Sequence, residues 1–349
     1  MESREAWSAK CLFEEETVLA LAFTAFIVGA LVSLATSWIL VTRLERVGQR
    51  FGFSEALLGA VAALAADAPE ITAAISALSQ HQRAIGTGVV IGSNVFNLAA
   101  LLGLGAVVSG FIALHRRVIV LGGFVAMWTA ICCIAVITGL ISALAGLVLA
   151  SMVLVCYLIV LGLDRKALRR LPLPRVLTSW ISSAVIEEEM ELETAIRPSR
   201  GRPIDAIVAL GALVTVVLSS VAMEWGASKL GHHFHVANVV TGGIVLSAVT
   251  SLPNAVAAVH LASSGRGAAA FSTALTSNNL NVVAGLLIPG AVIGLATPSV
   301  ASNLSAVVYL ALTALVLVLA FANRGLNTRS GWIIISGYVV FVSWLLAIA

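Results

Sequence analysis

Residues 65–74 read AADAPEITAA, placing two acids, Asp67 and Glu70, on either side of Pro69 in an otherwise largely apolar stretch. A second proline-centred stretch, VTSLPNAVAA at 249–258, fits onto the first when Pro253 is set on Pro69, an offset of 184 residues. At that offset, without a gap, Gly59 meets Gly243, Ser79 meets Ser263, Ser93 meets Ser277, Asn94 meets Asn278 and Asn97 meets Asn281. General oiliness would not bring a proline and a series of polar residues into register, so the sequence carries an internal repeat.

The chain has 349 residues, of which 60% are hydrophobic and 11% charged. Its mean hydropathy is +1.04. A water-soluble fold has too little interior to hide so much apolar surface, which points to a multi-span membrane protein. Runs long enough to cross about 30 Å of hydrocarbon lie near 17–42, 55–79, 84–109, 118–138, 141–163, 204–224, 236–262, 267–294, 301–322 and 331–349. The polar stretch 164–203 divides them into five and five, giving an N-terminal unit 1–163, a connecting loop 164–203 and a C-terminal unit 204–349.

Of the 20 lysines and arginines, 16 fall in the segments 43–54, 115–117, 164–203, 263–267 and 323–330, and 4 on the opposite face. By the positive-inside rule, the loop 164–203 is cytoplasmic and both termini lie outside a cell membrane. The flank before the first span is acidic (EAWSAKCLFEEE), so that span is expected to be retained and not cleaved as a signal peptide. No basic patch with interleaved aromatics argues for nucleic acid. Cys11, Cys132, Cys133 and Cys156 show neither metal nor redox spacing.

An offset of five spans is odd, so the two copies cross the membrane in opposite directions. The expected fold is therefore an all-α membrane protein: ten transmembrane helices as two inverted five-helix repeats joined by a cytoplasmic loop. Inverted repeats with interrupted helices are the usual build of secondary transporters, with the site near the midplane. Pro69 and Pro253 each remove a backbone donor, and the freed carbonyls and half-helix ends can face a cation.

The motifs APE followed by GSNVFN, and TSLPN followed by TSNNLN, resemble the two alpha repeats of the cation/calcium exchanger superfamily, best known from sodium/calcium exchangers. The resemblance implies exchange of Ca²⁺ for Na⁺ or H⁺ by alternating access. Inorganic cations are then the cargo and the lipid bilayer the surroundings, with no resident cofactor. It assigns Glu70 as the first-repeat acid with Ser93 and Asn97 on its partner helix. In the second repeat it assigns Thr250 and Ser251 as the hydroxyls, with Ser277 and Asn281 on the partner helix. Carboxylate, amide, hydroxyl and backbone oxygens are also the hard ligands that Ca²⁺ and Na⁺ favour.

The pattern departs from the family at three places. Asn254 stands where the second-repeat glutamate is expected, Ala66 and Asp67 replace a Thr-Ser pair, and position 281 is Asn where some members have Asp. Asp67 is expected to restore, from the other repeat, the charge that Asn254 lacks. Two carboxylates neutralise one divalent cation or two monovalent ones, which leaves monovalent Na⁺/H⁺ exchange as the alternative cargo.

Among the 17 acids, Asp67 and Glu70 are the two expected deep in the membrane, where charged residues mark ion or proton pathways. The structural alternative for Asp67 is a helix cap at the break. Asn94 and Asn278 suit packing at a kink as well as ligation. The cluster HHFH at 232–235 is expected in a solvated outside loop, His260 as a packed polar residue or proton carrier, and the acidic run Glu187–Glu193 as a solvated helix face. An intramembrane hydrolase using Asp67 and Glu70 as acid and base is the competing class. It would not require the Pro, Ser and Asn pattern in a second copy.

Overall fold

The computed structural model describes residues 2–51, 55–162, 174–193, 201–263, 267–295 and 297–348. Twelve helical segments follow one another: α1 (Glu2–Arg50), α2 (Glu55–Ala66), α3 (Ala68–Ser79), α4 (Arg83–Ser109), α5 (Arg116–Ile137), α6 (Ala143–Gly162), α7 (Arg175–Glu193), α8 (Pro203–His233), α9 (238–263), α10 (267–293), α11 (Val300–Asn323) and α12 (Thr328–Ile348). Among the described residues, nine are long and apolar enough to cross a membrane, and α2 with α3 makes a tenth if that pair, bent by 51°, is one span. Helices suit this composition because hydrocarbon offers no partner for a backbone N–H or C=O. Large exposed side chains such as Leu31, Trp38, Met152, Leu218 and Val340 lie on the outer surface, where lipid tails cover them at no cost.

The core is built from α3, α4, α9 and α10, with α5, α6, α11 and α12 packed around them. The most apolar window of α4 is 83% buried, against 22–61% for the other long spans, which makes α4 the central column. α1 and α8 occupy equivalent places in the two repeats and pack along each other. Gly29 and Gly226 set their spacing: an added Cβ would come 2.7 Å from the Ser219 carbonyl oxygen and 2.5 Å from that of Ala22. Ser33 and Ser220 share a 3.0 Å hydrogen bond across the same seam. At one end of this pair Arg43 bonds Asp205 at 2.5 Å.

The repeat is visible as reciprocal contacts. Asn94 Nδ2 donates to the Asn278 carbonyl and Asn278 Nδ2 to the Asn94 carbonyl, each at 3.1 Å. A two-fold relation between the copies passes between these residues, and Gly88 and Gly92 beside them let α4 meet the backbone of Gly242 and Gly243. The Asn94–Asn278 pair is thus a packing clamp.

Several expectations are corrected. The chain is not wholly α-helical: β1 (Phe111–Ala113) pairs antiparallel with β2 (Gly325–Asn327), Ile112 opposite Leu326. The span at 204–224 continues to His233, so His232 and His233 belong to the last turn of α8 and only the end of HHFH leaves the helix. The stretch 164–203 contains α7, whose Val185 packs with Val125, Leu154 and Tyr157. Glu187 of the acidic run pairs with Arg117 at 2.5 Å. The remaining side chains of that run, the side chain of His260, and residues 163–173 and 194–200 lie outside the described residues. The second copy is not broken at its proline: Pro253 sits inside Ser247–Ser263, and the irregularity lies just before it, in a π-helical stretch Thr241–Leu246.

Candidate cation-binding site

Pro69 decides how the first repeat presents its acids. Proline is well placed in the opening turn of a helix, where its missing N–H goes unused, and α3 starts one residue before it. The bend between α2 and α3 puts Asp67 in the junction and Glu70 in the first turn of α3. Both are fully buried. Asp67 makes no side-chain cap bond to α3, so the capping alternative is excluded.

The acids instead reach across to the other repeat. Ser251 Oγ donates to Glu70 Oε1 at 2.5 Å, and Asn281 Nδ2 donates to Glu70 Oε2. Asp67 Oδ1 accepts from Asn254 Nδ2 at 2.7 Å and from Ser277 Oγ at 2.6 Å. Asn97 Nδ2 donates to Ser277 Oγ at 3.4 Å and Asn278 Oδ1 at 3.2 Å.

At the offset of 184, Glu70 corresponds to Asn254 and Ser251 to Asp67. The Glu70–Ser251 and Asn254–Asp67 bonds are therefore the same contact seen from the two repeats. At each of the two corners one partner is a carboxylate and the other a neutral polar group. The acid missing at Asn254 is replaced by one on the residue that Asn254 touches.

The residues singled out in the sequence form two hydrogen-bonded groups, one on each carboxylate: Glu70 with Ser251 and Asn281, and Asp67 with Asn254, Ser277 and, through Ser277, Asn97. Three stand apart from both. Thr250 spends its hydroxyl on its own helix, at 2.9 Å from the Leu246 carbonyl and 3.2 Å from that of Ser247. Ser93 Oγ is buried without a hydrogen-bond partner. Ala66 ends α2 and has only its backbone carbonyl to offer.

Asp67 Oδ2, Asn97 Oδ1 and Asn281 Oδ1 are likewise buried and unpartnered. Buried acceptors without donors are costly, and a set of carboxylate and amide oxygens is the chemistry that holds a hard cation. Among the described residues, no group of three or more His, Cys, Asp or Glu side chains could hold a metal ion. The set does not suit a soft metal.

Two features were not read from the sequence. π-helical stretches begin directly after Asn97 (Leu98–Leu104) and at Asn281 (Asn281–Leu287), at equivalent places in the repeats. π turns widen a helix and recur at functional sites, but no residue type announces them. The other is a further buried acid, Glu224, fully enclosed inside α8. With α8 expected to end at 224, it read as a terminal residue. Its spacing within an apolar run that continues through Trp225 and Ala227 was the available signal.

The family model for sodium/calcium exchanger proteins matches the chain twice, over residues 21–163 and 205–347. Sodium/potassium/calcium exchanger 2 of Gallus gallus is 28% identical over 180 residues, taking in 49% of this chain and 26% of its own. The chain thus spans about a quarter of that relative's length. The inner membrane protein YrbG of Escherichia coli K12 is 25% identical over 272 residues, 77% of this chain and 79% of its own. Among solved structures, the H⁺/Ca²⁺ exchanger CAX superposes with a TM-score of 0.69 at 12% identity, covering 94% of this chain and 86% of that one. The sodium-calcium exchanger NCX_Mj superposes with a TM-score of 0.61 at 19% identity, covering 93% and 99%. At these identities the two structures establish the fold alone.

Proposed function

The chain belongs to the sodium/calcium exchanger protein family, and from that premise we propose that it is a secondary cation antiporter exchanging Ca²⁺ for Na⁺ or H⁺. The cargo binds between Asp67 and Glu70, with Asn97, Ser251, Ser277 and Asn281 completing the oxygen set. The observation that carries this reading is the pair of equivalent contacts, Glu70–Ser251 and Asn254–Asp67, which supplies one carboxylate to each corner of the site. Two carboxylates balance one divalent charge. Acid/base hydrolysis would need neither the second repeat nor its matched donors.

In this conformation both acids are closed off from water. The closure lies where the α1–α8 pair meets the two prolines: Ala30, Ser33, Leu34 and Met223 line a narrow crevice with Pro69, Thr250 and Pro253. α1 and α8 hold to each other along their length, so the pair is suited to move as a unit relative to the core. Such a movement would open the site to one side at a time, with the bound ion biasing the equilibrium. The distribution of Lys and Arg supports an orientation with both termini outside and 164–203 in the cytoplasm.

A second reading, monovalent Na⁺/H⁺ exchange, draws on Asn254 itself, whose amide donates to the carboxylate oxygen that a divalent ion would use. The test is ⁴⁵Ca²⁺ uptake into proteoliposomes loaded with Na⁺, compared with K⁺ loading and with an imposed pH gradient. Uptake driven by Na⁺ or by pH is expected. Folded protein that takes up no Ca²⁺ but carries ²²Na⁺ against protons would establish the monovalent reading, and protein that does neither would overturn both.

A further inference from the structure

Glu224 is a carboxylate that the repeat does not explain: α1, the matching helix of the other repeat, has no acid between residues 17 and 44. Glu224 Oε2 accepts from Ser76 Oγ at 2.8 Å and from Gln80 Nε2 at 2.7 Å. Gln80 Nε2 also lies 2.9 Å from Ser76 Oγ. Glu224 Oε1 is buried with no hydrogen-bond partner. Among the described residues Glu224 forms no ion pair. A buried carboxylate without a counter-charge is costly. A cation would supply the charge here, using Glu224 Oε1, the Ser76 hydroxyl oxygen and, once the Gln80 amide turns over from the orientation that now donates Nε2, the Gln80 oxygen, all hard donors.

The cluster also lies on a path. Ser76 is six residues beyond Glu70 on α3, about 9 Å along the helix at 1.5 Å per residue. Gln80, just past the end of α3, is exposed. On the inner side Met223, the neighbour of Glu224, lines the crevice against Pro69, Thr250 and Pro253. Glu224 thus stands between the surface at Gln80 and the closed crevice beside the Asp67–Glu70 site.

We propose that Glu224, Ser76 and Gln80 form a second binding site, for one monovalent cation, on the route to the Asp67–Glu70 site from the end of the molecule that carries the 80–83 turn. One carboxylate matches one positive charge. The site joins α8 to α3, so a cation bound there ties the α1–α8 pair to the core and favours the closed seam. With no acid between residues 17 and 44 of α1, the other route has no such carboxylate, and the two routes are chemically unequal. The inference goes beyond the antiport reading and stands whether the cargo is Ca²⁺ or a monovalent ion.

Equilibrium binding of ²²Na⁺ to the purified, detergent-solubilised full chain tests it, using wild type, D67N/E70Q, E224Q and the triple variant. D67N/E70Q is expected to keep one Na⁺ per chain, E224Q to bind one fewer than wild type, and the triple variant to bind none. Equal stoichiometry in E224Q and wild type, or no Na⁺ on monodisperse D67N/E70Q, overturns the proposal. If D67N/E70Q does not purify as a monodisperse species, the comparison of E224Q with wild type decides. If E224Q is the one that fails, Q80L at the exposed rim is expected to weaken Na⁺ binding to D67N/E70Q at least threefold, and unchanged binding overturns the proposal. Loss of ⁴⁵Ca²⁺ exchange in D67N/E70Q reports on the antiport reading separately.

Discussion

Replacing Asn254 with glutamate exchanges the amide that donates to Asp67 Oδ1 at 2.7 Å for a second carboxylate facing it. Two effects add. The lost hydrogen bond to a charged group is worth about 1.5–3 kcal/mol. Like charges about 4 Å apart repel by about 4 kcal/mol at an effective dielectric of 20. In ion-free buffer N254E is therefore destabilised by roughly 5–7 kcal/mol before a proton or divalent cation relieves it.

D67S removes one charge and leaves the Asn254 and Ser277 donors without their acceptor, at about 1–3 kcal/mol each. In D67S/N254E the carboxylate simply changes sides of the two-fold relation, so the repulsion disappears and a coupling of about 4 kcal/mol is expected between the two sites. Thermal unfolding of the four proteins in detergent, with chelator and with added Ca²⁺, measures that coupling. N254E should gain more stability from Ca²⁺ than wild type does, which is the signature of a preference shifted towards divalent ions. Additivity within about 0.5 kcal/mol, or equal stabilisation by Ca²⁺, would show that the two side chains do not share a corner of the site.

Glu70→Gln removes the negative charge and leaves one acceptor oxygen for the two donors Ser251 and Asn281, and should abolish cation flux in proteoliposomes while the protein stays monodisperse. Ser277→Ala, which deletes a 2.6 Å bond to Asp67, should weaken cation affinity about ten- to hundredfold, from the 1.5–3 kcal/mol of a charge-assisted bond. Equilibrium ⁴⁵Ca²⁺ binding measures that loss, and unchanged affinity would remove Ser277 from the site. Gly92→Ala would drive a Cβ into the Gly243 carbonyl and part α4 from α9 beside the Asn94–Asn278 clamp. It should cost about 1–3 kcal/mol or more by overpacking, read as a lowered melting temperature. Arg43→Ala breaks an ion pair whose arginine is 34% exposed, and its effect on melting should stay below about 1 kcal/mol.

The inverted repeat was legible because proline, asparagine and serine at fixed spacing within apolar helices cannot arise from hydropathy alone. It brought Asp67, Glu70, Ser251, Asn254, Ser277 and Asn281 into view. The span boundaries followed from length and polarity, and they erred where polarity misleads. Glu224 read as the end of a span and His232 as part of a solvated loop, yet α8 runs on to His233, because tertiary packing against α3 provides a polar partner that composition does not display. Pro253 reads like Pro69, yet one lies in a continuous helix and the other follows a 51° bend. A proline removes one donor in either case, and whether the helix bends there depends on what packs around it.

The amino-acid sequence by itself determined the membrane class, the helical build, the two-fold kinship of the halves and the cast of polar residues, because these rest on hydropathy and periodic residue identity. The tertiary structure alone decided which of those residues meet. It set Asp67 against Asn254 and Glu70 against Ser251, turned Thr250 back onto its own helix, left Ser93 without a partner and enclosed Glu224 against Ser76. Hydrogen bonds between residues 148 to 211 positions apart depend on the crossing of helices at glycine contacts, and no local pattern along a single chain encodes that distance.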